Sequence, residues 1–176
     1  MTGPPLVGSA IELRPVNPER DAPAWYTIAQ DARLHQWTGN TVPAGLEDTI
    51  QLLETYRASP DIFAWAIYLR QTGAMAGTYW ISSAVEWEGL TGSSDAQRLN
   101  PALRRTGIVP VARRLVYAWA FRQFPIDGIL VSAWEANTNA CRSMEAFGFR
   151  LVQRHMRKNS KAGSLRPERL YLFSRH

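Results

Sequence analysis

Apolar positions along the chain switch between a period of two and a helical period, and the switches mark out the elements. Ile11 and Leu13 alternate with Glu12 and Arg14, which predicts a strand closed by Pro15. Asn17-Pro18 then supplies an N-cap and a first helical residue, and Trp25, Ile28, Ala29 and Ala32 form that helix's buried stripe. The segment from Leu34 to Gly45 is a loop, followed by a second helix from about Leu46 to Arg57 with Ile50, Leu53 and Tyr56 inward; Ser59-Pro60 ends it. Ile62 to Leu69 and Met75 to Ile81 are rich in aromatic and β-branched residues and are joined through Gln71-Thr72-Gly73, a hairpin signal. Glu86 to Gly92 forms a turn region before a strand at about Ser93 to Leu99.

The strongest helical stripe runs through Ile108, Val111, Ala112, Leu115, Val116 and Trp119, with Arg113, Arg114, Tyr117 and Arg122 largely off it. After the loop Phe124 to Gly128, the run Ile129 to Trp134 has the continuous apolar character of a strand covered on both faces. Asn137 or Asn139 caps a short helix carrying Ala140, Met144 and Phe147, and Gly148 stands at its left-handed stop. Phe149 to Met156 is a strand, Arg157 to Pro167 a polar loop, and Glu168 to Phe173 a final strand. The resulting order is β-α-α-β-β-β-α-β-α-β-β in one domain spanning 10–176, with residues 1–9 a flexible, Pro/Gly-rich N-terminus.

Composition narrows the function classes. The 176 residues are 45% hydrophobic and 20% charged, an ordinary soluble globule without an apolar run long enough to span a bilayer. A single cysteine, Cys141, excludes an internal disulfide and a multi-cysteine metal site and fits a cytoplasmic setting; no metal is expected. The net charge of +5 admits an anionic partner, but no Lys/Arg run exceeds two residues, so nucleic acid is not expected.

The chemistry concentrates at Leu99 to Val109. An extended, Pro-punctuated segment meets two arginines and then a glycine at a helix start. Gly107 allows close backbone approach, the free N–H groups of the first turn favour an anion, and Arg104 and Arg105 add guanidinium donors. The pattern reads as a pyrophosphate cradle between a strand and a helix.

This order, with that turn before the central helix, resembles the GCN5-related N-acetyltransferase (GNAT) superfamily. Arg104-Arg105-Thr106-Gly107-Ile108-Val109 matches the family's Arg/Gln-x-x-Gly-x-Gly/Ala loop at its first and fourth positions, and Asn137, Ala140, Gly148 and Phe149 satisfy the downstream Asn-x-x-Ala/Ser…Gly-Phe signature. Leu99 to Arg104 and Trp37-Thr38 look most like the ribosomal-protein alanine N-acetyltransferase group. The resemblance implies an α+β, three-layer α/β/α fold with a mixed, mostly antiparallel sheet of about seven strands, splayed between the fourth and fifth, and four helices. It implies acetyl-CoA as donor to a primary amine, which attacks the thioester directly; the acceptor is a protein N-terminus or a small molecule. The rival is a non-catalytic CoA-binding or interaction module with the same fold; either would act as a monomer or homodimer.

On the same resemblance, backbone N–H groups from Arg105 through Thr106, Gly107 and Ile108 to Val109 hold the pyrophosphate, with Arg104 and Arg105 beside it and Arg113 or Arg114 for the 3′-phosphate. Gln97 to Leu99 pairs with pantetheine and polarises the thioester carbonyl, and Asn137 both caps its helix and binds the arm. Glu86, Glu88 and Asp95 are the carboxylates available as general base. Trp37, Asn40 and Trp87, with Tyr56, are candidates for the acceptor's walls, in a groove between the Leu34–Gly45 and Arg157–Pro167 loops; Trp37 is equally a lid on the core. Two departures weaken the acid–base assignment. Met144 and Ala140 stand where relatives carry a Tyr or Ser that can protonate the leaving thiolate, and Ser93 where relatives often carry Glu.

Overall fold

The computed structural model describes residues 1–175. Ten strands fall into two five-stranded sheets. The first has the order β1 (Leu6–Val7), β2 (Ile11–Pro15), β3 (Ile62–Leu69), β4 (Met75–Ser82) and β7 (Asp95–Leu99), all antiparallel. The second has the order β5 (Val85–Trp87), β6 (Leu90–Ser93), β8 (Gly128–Trp134), β10 (Leu165–Ser174) and β9 (Arg150–Lys158), with β6 parallel to β8 and the other pairs antiparallel. Four α-helices cover them: α1 (Pro18–Ala29), α2 (Leu46–Ala58), α3 (Ile108–Gln123) and α4 (Thr138–Phe147).

The layers follow from strand parity. On β3, Trp65 and Ile67 pack with Ala112, Val116 and Trp119 of α3, while Ala64, Ala66 and Tyr68 pack with Trp25 of α1 and Leu53 of α2. Both faces of β3 are therefore buried, which is why its sequence is an unbroken apolar run. Trp65 and Trp119 meet edge to face with centroids 5.2 Å apart, a geometry worth about 0.5–1.5 kcal/mol beyond area burial. The Trp65 indole donates to Pro4 O at 2.8 Å. Residues 1–9, read from composition as flexible, thus lie against the domain and contribute β1 to its edge.

Several local expectations are met. Asn17 caps α1, Asn137 caps α4, and Gly148 ends α4 at φ 108°. Others need correction. Ala32 lies beyond α1, exposed in a short 3₁₀ turn capped by Asp31, because α1 stops at Ala29. The 86–92 turn region is a tight hairpin of β5 and β6, folded at Glu88 and Gly89, both at positive φ. The strand expected over 93–99 belongs to two sheets, with β6 ending at Ser93 beside β8 and β7 starting at Asp95 beside β4. Ser82 holds the crossover, its N–H donating to Ser94 O at 2.7 Å and its Oγ accepting from Ser94 N at 2.8 Å. The polar loop expected over 157–167 shrinks to 159–164, since β9 and β10 pair out to Lys158 and Leu165. Three short strands, β1, β5 and β6, thereby join the seven expected.

Candidate functional site

The crossover at Ser94 creates the site. β6 runs beside the start of β8 at Gly92 and Ser93, and the chain then leaves for the other sheet, so β7 diverges from β8. Ser94 O and Asn100 N bond toward β4, which places even-numbered residues of β7 in that ladder. The N–H and C=O groups of Gln97 and Leu99 consequently face the gap. A free strand edge of this kind accepts an extended ligand as an added strand.

Beyond Leu99 the chain turns sharply into α3. The Asn100 side chain accepts from Ala102 N at 3.0 Å, starting a single 3₁₀ turn over Pro101–Leu103. Arg105 at φ 65° and Gly107 at φ 82° are left-handed, and Thr106 Oγ1 donates to Leu103 O at 2.6 Å between them. Gly107 is the N-cap of α3 and forms no side-chain cap bond, so the first-turn N–H groups of Ile108 and Val109 are left for a ligand. The aligned peptides of α3 add a positive field there.

These parts open into one cleft of ≈ 820 Å³. Gln97, Leu99, Arg104, Arg105, Thr106, Gly107, Ile108, Val109 and Asn137, the residues expected to hold the donor, all line it. Arg104 also ties the cleft's rim together, donating through Nη2 to Arg33 O at 2.9 Å. The lining adds Arg33, Arg142 and Ser143, which sequence pattern did not single out. Arg142 was hidden because a polar residue on an amphipathic helix reads as solvated.

The arginine pair on α3 divides. Arg114 is exposed, with its guanidinium 5.9 Å from the Phe147 ring, and is absent from the cleft lining. Arg113, read as lying off the buried stripe, is 1% exposed and donates to Ser143 O and Oγ at 3.4 and 3.3 Å. Its charge acts on Asp95, whose carboxylate accepts from the phenols of Tyr79 and Tyr117. Tyr117 is likewise buried, not off the stripe. Burial pushes the Asp95 carboxyl up, with Arg113 and the two phenols opposing. Asp95 therefore fastens β7 to β4 and α3 from inside the core, shut away from the cleft. Glu86 and Glu88 are exposed on the β5–β6 hairpin, Glu86 accepting from Thr91 Oγ1 at 2.7 Å. None of the three carboxylates considered as bases lines the cleft.

The expected acceptor walls also separate. Trp37 lines the main cleft and an adjoining cavity of ≈ 240 Å³ beside Trp134 and Lys161. Asn40 lines a different cavity of ≈ 420 Å³ between α1 and α2, and Trp87 lies out on β5. The two loops expected to form a groove do meet, through Lys161 Nζ donating to His35 O at 2.7 Å. Among the described residues there is no cluster of His, Cys, Asp and Glu that could hold a metal ion, and no helix long and apolar enough to cross a membrane.

A family model described as an acetyltransferase (GNAT) domain matches residues 10–150. No curated protein sequence matches. Among solved structures, a GCN5-related N-acetyltransferase from Brucella melitensis superposes with a TM-score of 0.82 at 16% identity, covering 97% of this chain and 78% of that one. An acetyl transferase from Salmonella typhimurium, which modifies the N-terminal serine of a 50S ribosomal subunit protein, gives 0.81 at 14% identity, covering 96% and 97%. A microcin self-immunity acetyltransferase solved with acetyl-CoA and AMP gives 0.81 at 12% identity, covering 96% and 94%. At these identities the superpositions establish a shared fold.

Proposed function

The chain belongs to the GNAT acetyltransferase family, and from that premise we propose that it transfers an acetyl group from acetyl-CoA to a primary amine within the cleft between β7 and β8. The observation that carries this reading is the convergence of two features on one cleft: the free edge at Gln97 and Leu99, and the uncapped start of α3. An extended amide-bearing arm suits the first and a pyrophosphate the second. Their connection through Asn100–Thr106 sets the distance between them.

In this reading the N–H groups of Ile108 and Val109 take the pyrophosphate, with Arg105 alongside. Arg142 replaces Arg113 and Arg114 as the guanidinium for the 3′-phosphate, since it lines the cleft and they do not. Asn137 spends its side-chain oxygen capping Ala140 N at 3.3 Å and offers its amide to the arm. Acetyl-CoA supplies an activated thioester. The amine nitrogen attacks its carbonyl carbon, the C–S bond breaks and CoA leaves as thiolate, and the proton that the nitrogen sheds passes to the departing thiolate or to solvent, while an edge N–H of β7 stabilises the developing oxyanion.

With no carboxylate among the described residues of the cleft lining, the amine reacts as its free base. An α-amino group with a pKa of about 8 supplies roughly a tenth of its population in that form at pH 7. A thiolate of pKa near 8.5 leaves without strong acid help; Ser143, whose oxygen accepts from Arg113, is the hydroxyl α4 contributes to the lining.

The test is thermal unfolding with and without acetyl-CoA, together with release of free thiol in the presence of a mixed amine pool. Ligand at about a hundredfold over its dissociation constant adds roughly 2.7 kcal/mol, a shift of several degrees. A shift with amine-dependent thiol release is the expected result. No shift at millimolar acetyl-CoA overturns the reading.

A further inference from the structure

Arg98 sits on β7 between the two residues whose backbones face the cleft, and strand alternation sends its side chain to the α1/α2 side. It is 7% exposed. Its Nη2 donates to His35 Nδ1 at 2.8 Å, and His35 Nε2 lies 2.7 Å from Ala29 O. That carbonyl only accepts, so the ring proton resides on Nε2 and Nδ1 is free to accept from the guanidinium. Arg98 is thus held in one orientation, its carbon 5.1 Å from the Trp25 ring centroid.

Among the described residues its Nε and Nη1 have no hydrogen-bond partner, and no carboxylate forms an ion pair with it. Burial lowers its pKa, and the Tyr56 phenol opposes this through its charge and through a hydrogen bond to the guanidinium. Arg98 lines a cavity of ≈ 420 Å³, and two other buried side chains in the same lining, Trp25 through Nε1 and Thr49 through Oγ1, also hold unpartnered atoms, buried in the cavity wall as the Arg98 Nε and Nη1 are. Asp48 is the one acid in the lining, and its Oδ2 already accepts from Ala44 N and Gly45 N at 2.9 and 3.3 Å. A buried guanidinium without a counter-ion is costly, and hydrogen-bonding groups left unmade in a cavity call for a ligand that accepts.

We propose that this cavity receives the carboxylate of the acceptor, so that the protein acetylates amines that also bear a carboxylate. The inference rests on the transferase reading and deepens it. Arg98 lines both this cavity and the donor cleft, so one short molecule can set its carboxylate on Arg98, Trp25 and Thr49 and its amine at the β7 edge. A carboxylate offers only acceptors, which matches a guanidinium, an indole N–H and a hydroxyl. His35 is a positioning residue that aims Arg98.

The decisive experiment compares matched pairs on the unmodified protein: free α-amino acids against their carboxamides, and short peptides with Asp against Asn at the second position. Binding is read from tryptophan fluorescence with and without saturating CoA, and turnover from thiol release. The expected result is a preference of about tenfold or more for the carboxylate member of one series, and that series identifies whether a free amino acid or a peptide is the source. Arg98→Gln should bring the ratio to parity, and Arg98→Lys, which keeps the charge, should restore part of it. Equal use of carboxylate and carboxamide, absence of binding by every carboxylate, or stronger binding of phosphoethanolamine overturns the proposal. Because carboxylate binding is also measured without CoA, a failure of the donor assignment leaves this result readable on its own.

Discussion

Gly77→Ala is the sharpest probe of the β7 edge. Gly77 faces Leu99 across the β4–β7 pair. A Cβ built there would lie 2.3 Å from Arg98 O and 3.1 Å from Leu99 Cα, both backbone atoms that cannot rotate away. Carbon and oxygen need about 3.3 Å, so β7 must retreat by roughly 1 Å, straining the Asn100 N to Ala76 O bond of 2.8 Å that anchors its end. Overpacking of this kind costs about 1–3 kcal/mol, and at about 2–4 °C per kcal/mol for a chain of this size Tm should drop by roughly 2–12 °C. The catalytic effect should be larger in proportion. A misplacement of about 1 Å at the reacting centre costs on the order of a hundredfold in rate, so kcat for thiol release at saturating acetyl-CoA should fall by about that factor. Gly45→Ala is the matched control, since Gly45 has extended backbone at φ −150° and nothing within 4 Å of its added Cβ. The assay pairs a thermal melt with steady-state thiol release for both variants. A Gly77→Ala protein with lowered Tm but kcat within threefold of the parent would refute the assignment of the thioester to this edge.

Asp95→Ala should cost about 3–5 kcal/mol in denaturant melts, because it strips the counter-charge from Arg113 and leaves two buried phenols without their acceptor. Tyr117→Phe, which removes one hydrogen bond, should cost only about 0.5–1.5 kcal/mol; an Asp95→Ala protein within 1 kcal/mol of the parent would show that the carboxylate is not the anchor of this cluster. His35 gives a pH signature. Burial, then the charges of Arg98 and Lys161, hold its pKa below the usual imidazole value, partly offset by the Ala29 carbonyl. Its folded form therefore binds protons less readily than the unfolded chain, so the stability it contributes is whole above about pH 6.5 and is lost as pH falls below that value. Tm measured from pH 7.5 down to 5.5 should fall more steeply for the parent than for His35→Gln, and parallel curves would contradict the buried neutral ring.

Where a feature depends on neighbours in the chain, the residues alone determined it. The cap at Asn17, the narrowing of the α4 cap to Asn137 or Asn139, the stop at Gly148, the β3–β4 hairpin and the glycine at the start of α3 all arise from backbone preferences and short-range periodicity. That the residues from Gln97 to Val109 proposed to hold the donor line one cleft was legible for the same reason: they form one continuous stretch, and a strand, turn and helix start in that order place their backbones together. Tertiary structure decided what depends on which sheet a strand joins. Nothing local marks Ser94 as the point where the chain passes from β8's neighbour to β4's, yet that crossing opens the cleft. It also separates Glu86 and Glu88 from the lining and turns Asp95 inward. Arginines read as solvated whenever they fall off an apolar stripe, because a sequence does not display the partners that make burial tolerable. Arg113 is buried because Asp95, eighteen residues away on another element, faces it, and Arg98 because His35 and Trp25 close over it from the α1 side.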